Sequence, residues 1–89
     1  MAGGTLKVEV VSPEAVVFTG EATMVVTRTL GGGDVAFMAG HAPFLAALAD
    51  GKARVHLVGG GTQEFSIHGG FVQVDGKKVS ILSDAAEIN

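Results

Sequence analysis

The 89-residue chain contains no cysteine, which excludes disulfide bonds and metal sites built from thiolates. It also lacks tryptophan and tyrosine and has two prolines. Its six Lys and Arg residues are scattered, so no basic stripe is present and we expect no nucleic-acid partner. No apolar run approaches the roughly 18 residues that a membrane-spanning helix needs.

The first eight residues, MAGGTLKV, show no basic region followed by an apolar core, so we expect no signal peptide. An intracellular, cytoplasmic protein is the resulting expectation, with membrane contact only through a partner. The length predicts one domain that covers residues 1–89.

The residues that are present favour strands. Hydrophobic residues make up 47% of the chain, and 14 glycines punctuate it. Leu6, Val8 and Val10 alternate with charged residues, as in a half-buried strand, and Asp75-Gly76 is a hairpin signal. Thr19-Gly20 is predicted to be a turn that separates strands 16–18 and 21–29, and residues 83–89 are compatible with a helix. Eight to ten short strands, with turn signals about every eight to twelve residues, predict a β-sandwich or a barrel.

The central stretch is Gly31 to Leu45, GGGDVAFMAGHAPFL, which has strand-like sequence on both sides. Gly31-x-Gly33-x-x-Ala36 fits the dinucleotide fingerprint in form. That fingerprint requires a helix after the glycines, and Val-Ala-Phe-Met is typical of a strand instead. We therefore predict no cofactor here.

Catalytic and metal sites are not predicted either. Asp34 and His41 lie seven residues apart, but no serine stands in a nucleophile elbow. His41, His56 and His68 do not have the spacing of a metal-ligand set, and the last two fall on solvent-facing strand positions. His41 itself has two open interpretations: its ring anchors the loop backbone, or it contacts a partner.

Lys52 supports an alternative function. Asp50-Gly51-Lys52-Ala53 places this lysine at a predicted hairpin tip, where lipoyl- or biotinyl-type carrier domains display their modified lysine. Those domains have Asp immediately before Lys, whereas Gly51 intervenes here. A generic β-sandwich adaptor with another partner at the central stretch is a further alternative.

Five segments in order resemble one family. They are LKVEVVSPE (6–14), VFTG (17–20), DVAFMAGHAPFL (34–45), GGFVQV (69–74) and VSILSDAAE (79–87). Together they resemble the N-terminal domain of the epsilon subunit of F-type ATP synthase over nearly the whole chain. The resemblance implies an all-β fold, a ten-stranded β-sandwich of two five-stranded antiparallel sheets.

The same resemblance implies a function without catalysis. Such a domain belongs to the central stalk, or rotor, where it links the gamma subunit to the c-ring so that proton flow is coupled to ATP synthesis. It would be peripheral, at the cytoplasmic face of the energy-transducing membrane. The implied c-ring contacts are Gly33, Asp34 and Val35, and the implied gamma-subunit contacts are Ser12, His41 and Pro43. No cofactor is implied.

The sequence also departs from the family pattern. Ala36 replaces a glycine and Ala39 a proline that members often have before Gly-His, so we expect a less rigid loop. Many members carry two C-terminal helices that can inhibit ATP hydrolysis and sometimes bind ATP. Asn89 stands where those helices would begin, so we expect neither property to reside in residues 1–89.

Overall fold

The computed structural model describes residues 4–89; residues 1–3, part of the segment in which we expect no signal peptide, lie outside this range. The described chain forms nine strands. They are β1 (Leu6–Val11), β2 (Val16–Thr29), β3 (Gly33–Phe37), β4 (His41–Ala47), β5 (Gly51–Leu57), β6 (Thr62–His68), β7 (Phe71–Gly76), β8 (Lys78–Leu82) and β9 (Ala85–Ile88). Within residues 4–89 no helix is long and apolar enough to cross a membrane.

The long strand β2 divides the strands into two layers. Hydrogen bonding connects them in the order β4-β7-β8-β1-β2-β5-β6-β9, and β3 also pairs with β2. Residues 16–22 of β2 pair with β1, whereas residues 22–29 pair with β3 and β5. We call β4, β7, β8, β1 and the first half of β2 sheet 1. Sheet 2 contains β3, the second half of β2, β5, β6 and β9.

One apolar core fills the space between the two sheets. Sheet 1 contributes the buried side chains of Leu6, Val8, Val10, Val72, Val74, Val79 and Ile81, and sheet 2 contributes Val25, Phe37, Ala53, Val55, Phe65 and Ile67. The rings of Phe18 and Phe65 meet across the gap with centroids 5.3 Å apart. Burial of alternate residues on both sheets provides the main stabilisation, since apolar burial contributes about 25 cal/mol per Å².

The predicted all-β sandwich is confirmed, with two differences in detail. The described residues hold nine strands and not ten, because β2 is one continuous strand of 14 residues. The sheets are also not wholly antiparallel, since β1 and β8 run parallel, with Val8 beside Val79.

The predicted turn at Thr19-Gly20 is wrong. Thr19 pairs with Glu9 and Gly20 with Val8, so both residues continue the ladder. A Cβ on Gly20 would lie 2.8 Å from Cζ of Phe18. The absence of a side chain at Gly20 thus leaves room for the ring of Phe18.

The predicted helical end at residues 83–89 is also wrong. Ala85–Ile88 forms β9, which pairs antiparallel with β6. The Ser83 hydroxyl donates to the carbonyl of Ala85 at 2.6 Å and accepts from the amides of His68 and Ala85 at 3.3 Å. Ser83 therefore ties this segment to the end of β6 and does not cap a helix.

Strand β4 overlaps the apolar run Phe44 to Ala49. It begins at His41 and ends at Ala47, and its pairing with β7 shifts register between His41 and Phe44. β4 lies at the edge of sheet 1, where Leu45 is 67% exposed. An apolar run therefore does not mean that both faces are covered here.

Gly70 provides a test of the junction between β6 and β7. Its φ is 105°, and a Cβ there would overlap the carbonyl oxygen of Leu82 and lie 2.7 Å from Cα of Ser83. We expect Gly70→Ala to lower the free energy of unfolding by about 3 kcal/mol, because backbone strain and overlap add. Urea unfolding measures this.

Gly61→Ala is the matched control for this substitution. Gly61 has a φ of 83°, but nothing lies within 4 Å of an added Cβ. Only the conformational cost remains there, about 1–2 kcal/mol. Equal losses in the two variants would show that the overlap at Gly70 relaxes without cost.

Candidate functional site

The central stretch Gly31 to Leu45 is not one loop. It contains the β2–β3 turn, the strand β3, a short connection at residues 38–40, and the first part of β4. β3 pairs with β2 in sheet 2, and β4 pairs with β7 in sheet 1. The stretch therefore passes along one edge of the sandwich from one sheet to the other. The strand β3 follows its glycines, as the sequence Val-Ala-Phe-Met predicted.

Asp34 lies in a strand and not in the glycine-rich turn. It is the residue of β3 directly opposite Arg28 of β2, and its Oδ1 accepts a hydrogen bond from Nε of Arg28 at 3.1 Å. Its side chain is 51% exposed. Gly33 begins β3 with a φ of 69°, and Val35 packs partly against the core. The three residues predicted to contact the c-ring are thus contiguous in a strand at the edge of sheet 2.

His41 has a structural role in this arrangement. Its Nδ1 lies 2.7 Å from the carbonyl oxygen of Ala42, as expected for a ring nitrogen that anchors the backbone. Its ring stands edge-on to Phe37 and Phe44, with centroids 5.2 and 5.9 Å away. The anchoring interpretation is therefore supported, and a partner contact by His41 stays a prediction.

Ser12 and Pro43 lie at turns or irregularities of sheet 1. Ser12 closes the β1–β2 turn, where its amide donates to the carbonyl of Ala15 at 2.9 Å. Pro43 is exposed at the register shift of the edge strand β4, a position that tolerates the missing N–H.

The predicted gamma-contact residues do not form one cluster. His41 pairs with Gly76 at one end of β7. Ser12 is at the level of the other end, because it follows Val11. Val11 pairs with Leu82, and Leu82 pairs with Phe71, the first residue of β7. Five residues of β7 separate these levels, roughly 17 Å along the strand. A single small contact cannot include both Ser12 and His41.

The outer face of sheet 1 carries a feature that the sequence analysis missed. Five neighbouring strands each place one apolar residue in the same row, which we call the apolar belt. Its members in spatial order are Ala47, Phe71, Leu82, Val11 and Val16. Val16, Phe71 and Leu82 are 59%, 54% and 47% exposed. Five strands span roughly 20 Å across a sheet.

The rows beside the belt become steadily more polar. The next row contains Leu45, Gln73, Ser80, Glu9 and Thr19, and the row after it contains Asp75, Lys78, Lys7 and Glu21. A shallow groove of about 330 Å³ runs beside the belt, with Ser12 and Pro13 in its wall. The outer face of sheet 1 therefore has an apolar end next to Ser12 and a charged end near His41.

The outer face of sheet 2 carries an ion-paired cluster on β5 and β6. Glu64 of β6 accepts from Nε of Arg54 at 3.3 Å and lies 3.6 Å from Nζ of Lys52. A hydrogen bond from Asn89 holds the pKa of Glu64 below its ordinary value. Partial desolvation of Glu64 raises the pKa, but the positive charges of Lys52 and Arg54 lower it further.

Lys52 does not lie at a hairpin tip, so that prediction is wrong. It is the second residue of β5, opposite Ser66, and β5 pairs with β2 and β6. β4 and β5 belong to different sheets, so the Asp50-Gly51 connection crosses the sandwich and forms no hairpin. The carrier-domain alternative for Lys52 has lost its structural basis.

Comparison with known proteins assigns the fold to a family. The family described as ATP synthase, Delta/Epsilon chain, beta-sandwich domain matches residues 5–89. The ATP synthase epsilon chain of Micrococcus luteus is 40% identical over 83 residues, which cover 93% of this chain and 90% of that one. The chain belongs to the ATP synthase delta/epsilon chain family. The resemblance inferred from five short segments is confirmed.

Other members of the delta/epsilon family are longer. The epsilon chain of Streptomyces griseus is 41% identical over 83 residues, but these cover 66% of its length. The chain therefore spans about two thirds of that relative. A chain in the Euglena gracilis mitochondrial ATP synthase structure, OSCP/F1/c-ring, matches with a TM-score of 0.87 at 23% identity, over 94% of this chain and 53% of that one. This likeness shows that the two share the fold.

The Glu64 cluster predicts a pH dependence of stability. Because the pKa of Glu64 is lower in the folded protein than in the unfolded chain, its contribution is present above the unfolded pKa and is lost as the pH falls through the folded value. We expect Glu64→Gln to remove this contribution. Chemical unfolding from pH 3 to 7 should show a gap between the wild type and Glu64→Gln that closes at low pH. Glu14→Gln, in the exposed β1–β2 turn, is the control, and a gap independent of pH would contradict the ionic role.

Proposed function

We propose that this chain is a non-catalytic central-stalk subunit of the proton-translocating F-type ATP synthase. It links the gamma subunit to the c-ring, so that proton flow is coupled to ATP synthesis. Membership of the delta/epsilon family supports the assignment of this chain to the ATP synthase complex. A matching chain of the Tetrahymena thermophila ATP synthase comes from a structure described as central stalk and c-ring, with a TM-score of 0.73 at 15% identity.

The apolar belt is the observation that favours a docking role. A row of outward-facing apolar side chains on five strands, of which Val16, Phe71 and Leu82 are exposed, is costly in water, and such patches mark interaction surfaces. The belt lies beside Ser12, and polar rows border it on one side. An apolar centre with a polar border is the usual anatomy of a protein–protein interface. We assign this face to the gamma subunit.

This assignment changes the predicted gamma contacts. Ser12 stays at the proposed interface because it borders the belt. His41 and Pro43, at the other end of sheet 1, are reached only if the gamma subunit covers the whole outer face. A standard interface buries about 800 Å² on each partner, which is larger than the belt alone.

The proposed c-ring contacts lie on the other sheet. Gly33, Asp34 and Val35 are in β3, at the edge of sheet 2. The two partners would therefore bind different sheets of one stiff sandwich. A core at crystal-like packing density deforms little, which suits a part that passes torque between two partners. The proposed subunit is peripheral, at the cytoplasmic face of the energy-transducing membrane.

Belt variants test the gamma-subunit assignment. Phe71→Glu and Leu82→Glu place a charge in the middle of the belt, where a partner would have to desolvate it. We expect each to weaken binding to the gamma subunit by about 30-fold, the effect of losing an interface hot spot. Titration with purified gamma subunit and size-exclusion chromatography measure this.

Val58→Glu is the matched control for the belt variants. Val58 is 50% exposed in the β5–β6 turn, where its amide lies 3.4 Å from the carbonyl oxygen of Glu21 and therefore close to the charged end of sheet 1. Its substitution should leave gamma binding unchanged. An equal loss in Val58→Glu would contradict the assignment of the belt, and a wild-type chain that binds no gamma subunit would contradict the proposed function.

Asp34→Lys tests the c-ring assignment separately. Its side chain is half exposed, so we expect the fold and gamma binding to persist. Coupling should fall, seen as a lower ratio of proton pumping to ATP hydrolysis in vesicles with the reconstituted complex. Glu87→Lys, an exposed acid on β9, is the control. Wild-type coupling in Asp34→Lys would remove Asp34 from the interface.

A further inference from the structure

Asp34 is held by a cross-strand partner that the resemblance did not indicate. Arg28 faces it directly in the β2–β3 ladder, and Nε of Arg28 lies 3.1 Å from Oδ1 of Asp34. Within residues 4–89, this contact leaves Oδ2 of Asp34 and the terminal Nη groups of Arg28 without a hydrogen bond. A donor and an acceptor are thus available side by side at the edge of sheet 2.

The Arg28 side chain is itself fixed on its other side. Gly51 begins β5 without a side chain, and a Cβ there would lie 3.3 Å from Cδ and 3.6 Å from Cβ of Arg28. The stem of Arg28 therefore packs against the bare backbone of Gly51. The carbonyl of Arg28 also accepts the amide of Ala49 at 2.9 Å. The Arg28 side chain thus has Gly51 beside its stem and Asp34 at its Nε.

A contribution to folding stability does not explain the Arg28–Asp34 pair. The two side chains are 55% and 51% exposed, and exposed ion pairs contribute about 0–1 kcal/mol to folding. What the pair does is fix the direction of a carboxylate and a planar guanidinium on neighbouring strands. Such pre-organisation lowers the entropic cost of ordering these side chains when a partner binds.

We propose that Arg28 and Asp34 form one bidentate docking element for a polar loop of the c-ring, and that Arg28 both positions Asp34 and contacts that loop. The inference rests on the proposed function and names the chemistry of its ring-facing site. The matching loop presents a hydrogen-bond donor to Oδ2 and an acceptor, a carboxylate or backbone carbonyl, to the guanidinium. Arginine suits this because its planar fork holds two partners at once.

The test is the affinity of the complex of this chain with its gamma subunit for the purified c-ring in nanodiscs. Arg28→Ala and Asp34→Asn should each weaken ring binding by about tenfold, and the double variant by little more than either, because the two residues act as one element. Arg28→Lys keeps the charge but not the fork, so it should recover only part of the loss. Gamma binding should stay unchanged in all of them.

A charge swap separates docking from a merely structural role. Arg28→Asp combined with Asp34→Arg can keep the ion pair and the unfolding midpoint, but it exchanges the positions of donor and acceptor. We expect ring binding to stay at least about tenfold weaker than in the wild type. Arg54→Ala, which breaks an exposed ion pair with Glu64 on the same sheet, is the control and should bind the ring normally.

The outcomes distinguish the Arg28 inference from the proposed function. If the wild-type complex binds the ring while Arg28→Ala matches Arg54→Ala, or if the charge swap restores binding, the Arg28 inference is wrong and the proposed function stands. If the wild-type complex shows no affinity for the ring, the proposed function fails, and the Arg28 inference fails with it.

Discussion

Both outer faces of the molecule depend on the register of one strand. The first half of β2 pairs with β1 and the second half with β3 and β5, so β2 fixes each sheet against the other. Strand side chains alternate between faces, and a slip by one residue would exchange the buried and exposed sets. Register shifts near Val11 and between Ala22 and Met24 adjust this alternation as β2 passes between sheets. The belt and the Arg28–Asp34 pair are both consequences of that register.

Local sequence signals predicted most of the strands and hairpins. Alternation in β1 and the Asp75-Gly76 hairpin signal are both properties of short segments, and the structure confirms them. The errors involve contacts between residues distant in sequence. Gly20 was predicted as a turn because its ladder pairing with Val8, twelve residues earlier, is not visible in a local pattern. The parallel pairing of β1 with β8 joins residues about seventy positions apart, which no local pattern reveals.

The candidate site was predictable in composition but not in arrangement. The resemblance selected Ser12, Asp34 and His41, and the structure places them at three different locations on the sandwich. The belt was missed because each member looks like the end of an ordinary strand. The available signal was a pair of consecutive apolar residues at a strand end, as in Val10-Val11 and Ile81-Leu82. Only the pairing of neighbouring strands turns such scattered pairs into one row.

The two sheets divide the physical requirements of the proposed coupling role. Apolar burial is strong but has no direction, so an apolar belt can hold a partner without defining its angle. Charged pairs are weak in water but depend on distance and orientation, so they define alignment more than affinity. In this sandwich the belt lies on sheet 1, with a charged row two rows away, and the Arg28–Asp34 pair lies on sheet 2. A domain with an apolar belt on one sheet and the Arg28–Asp34 pair on the other can stay bound to one partner through the belt. The charged pair can then define its orientation relative to a second partner.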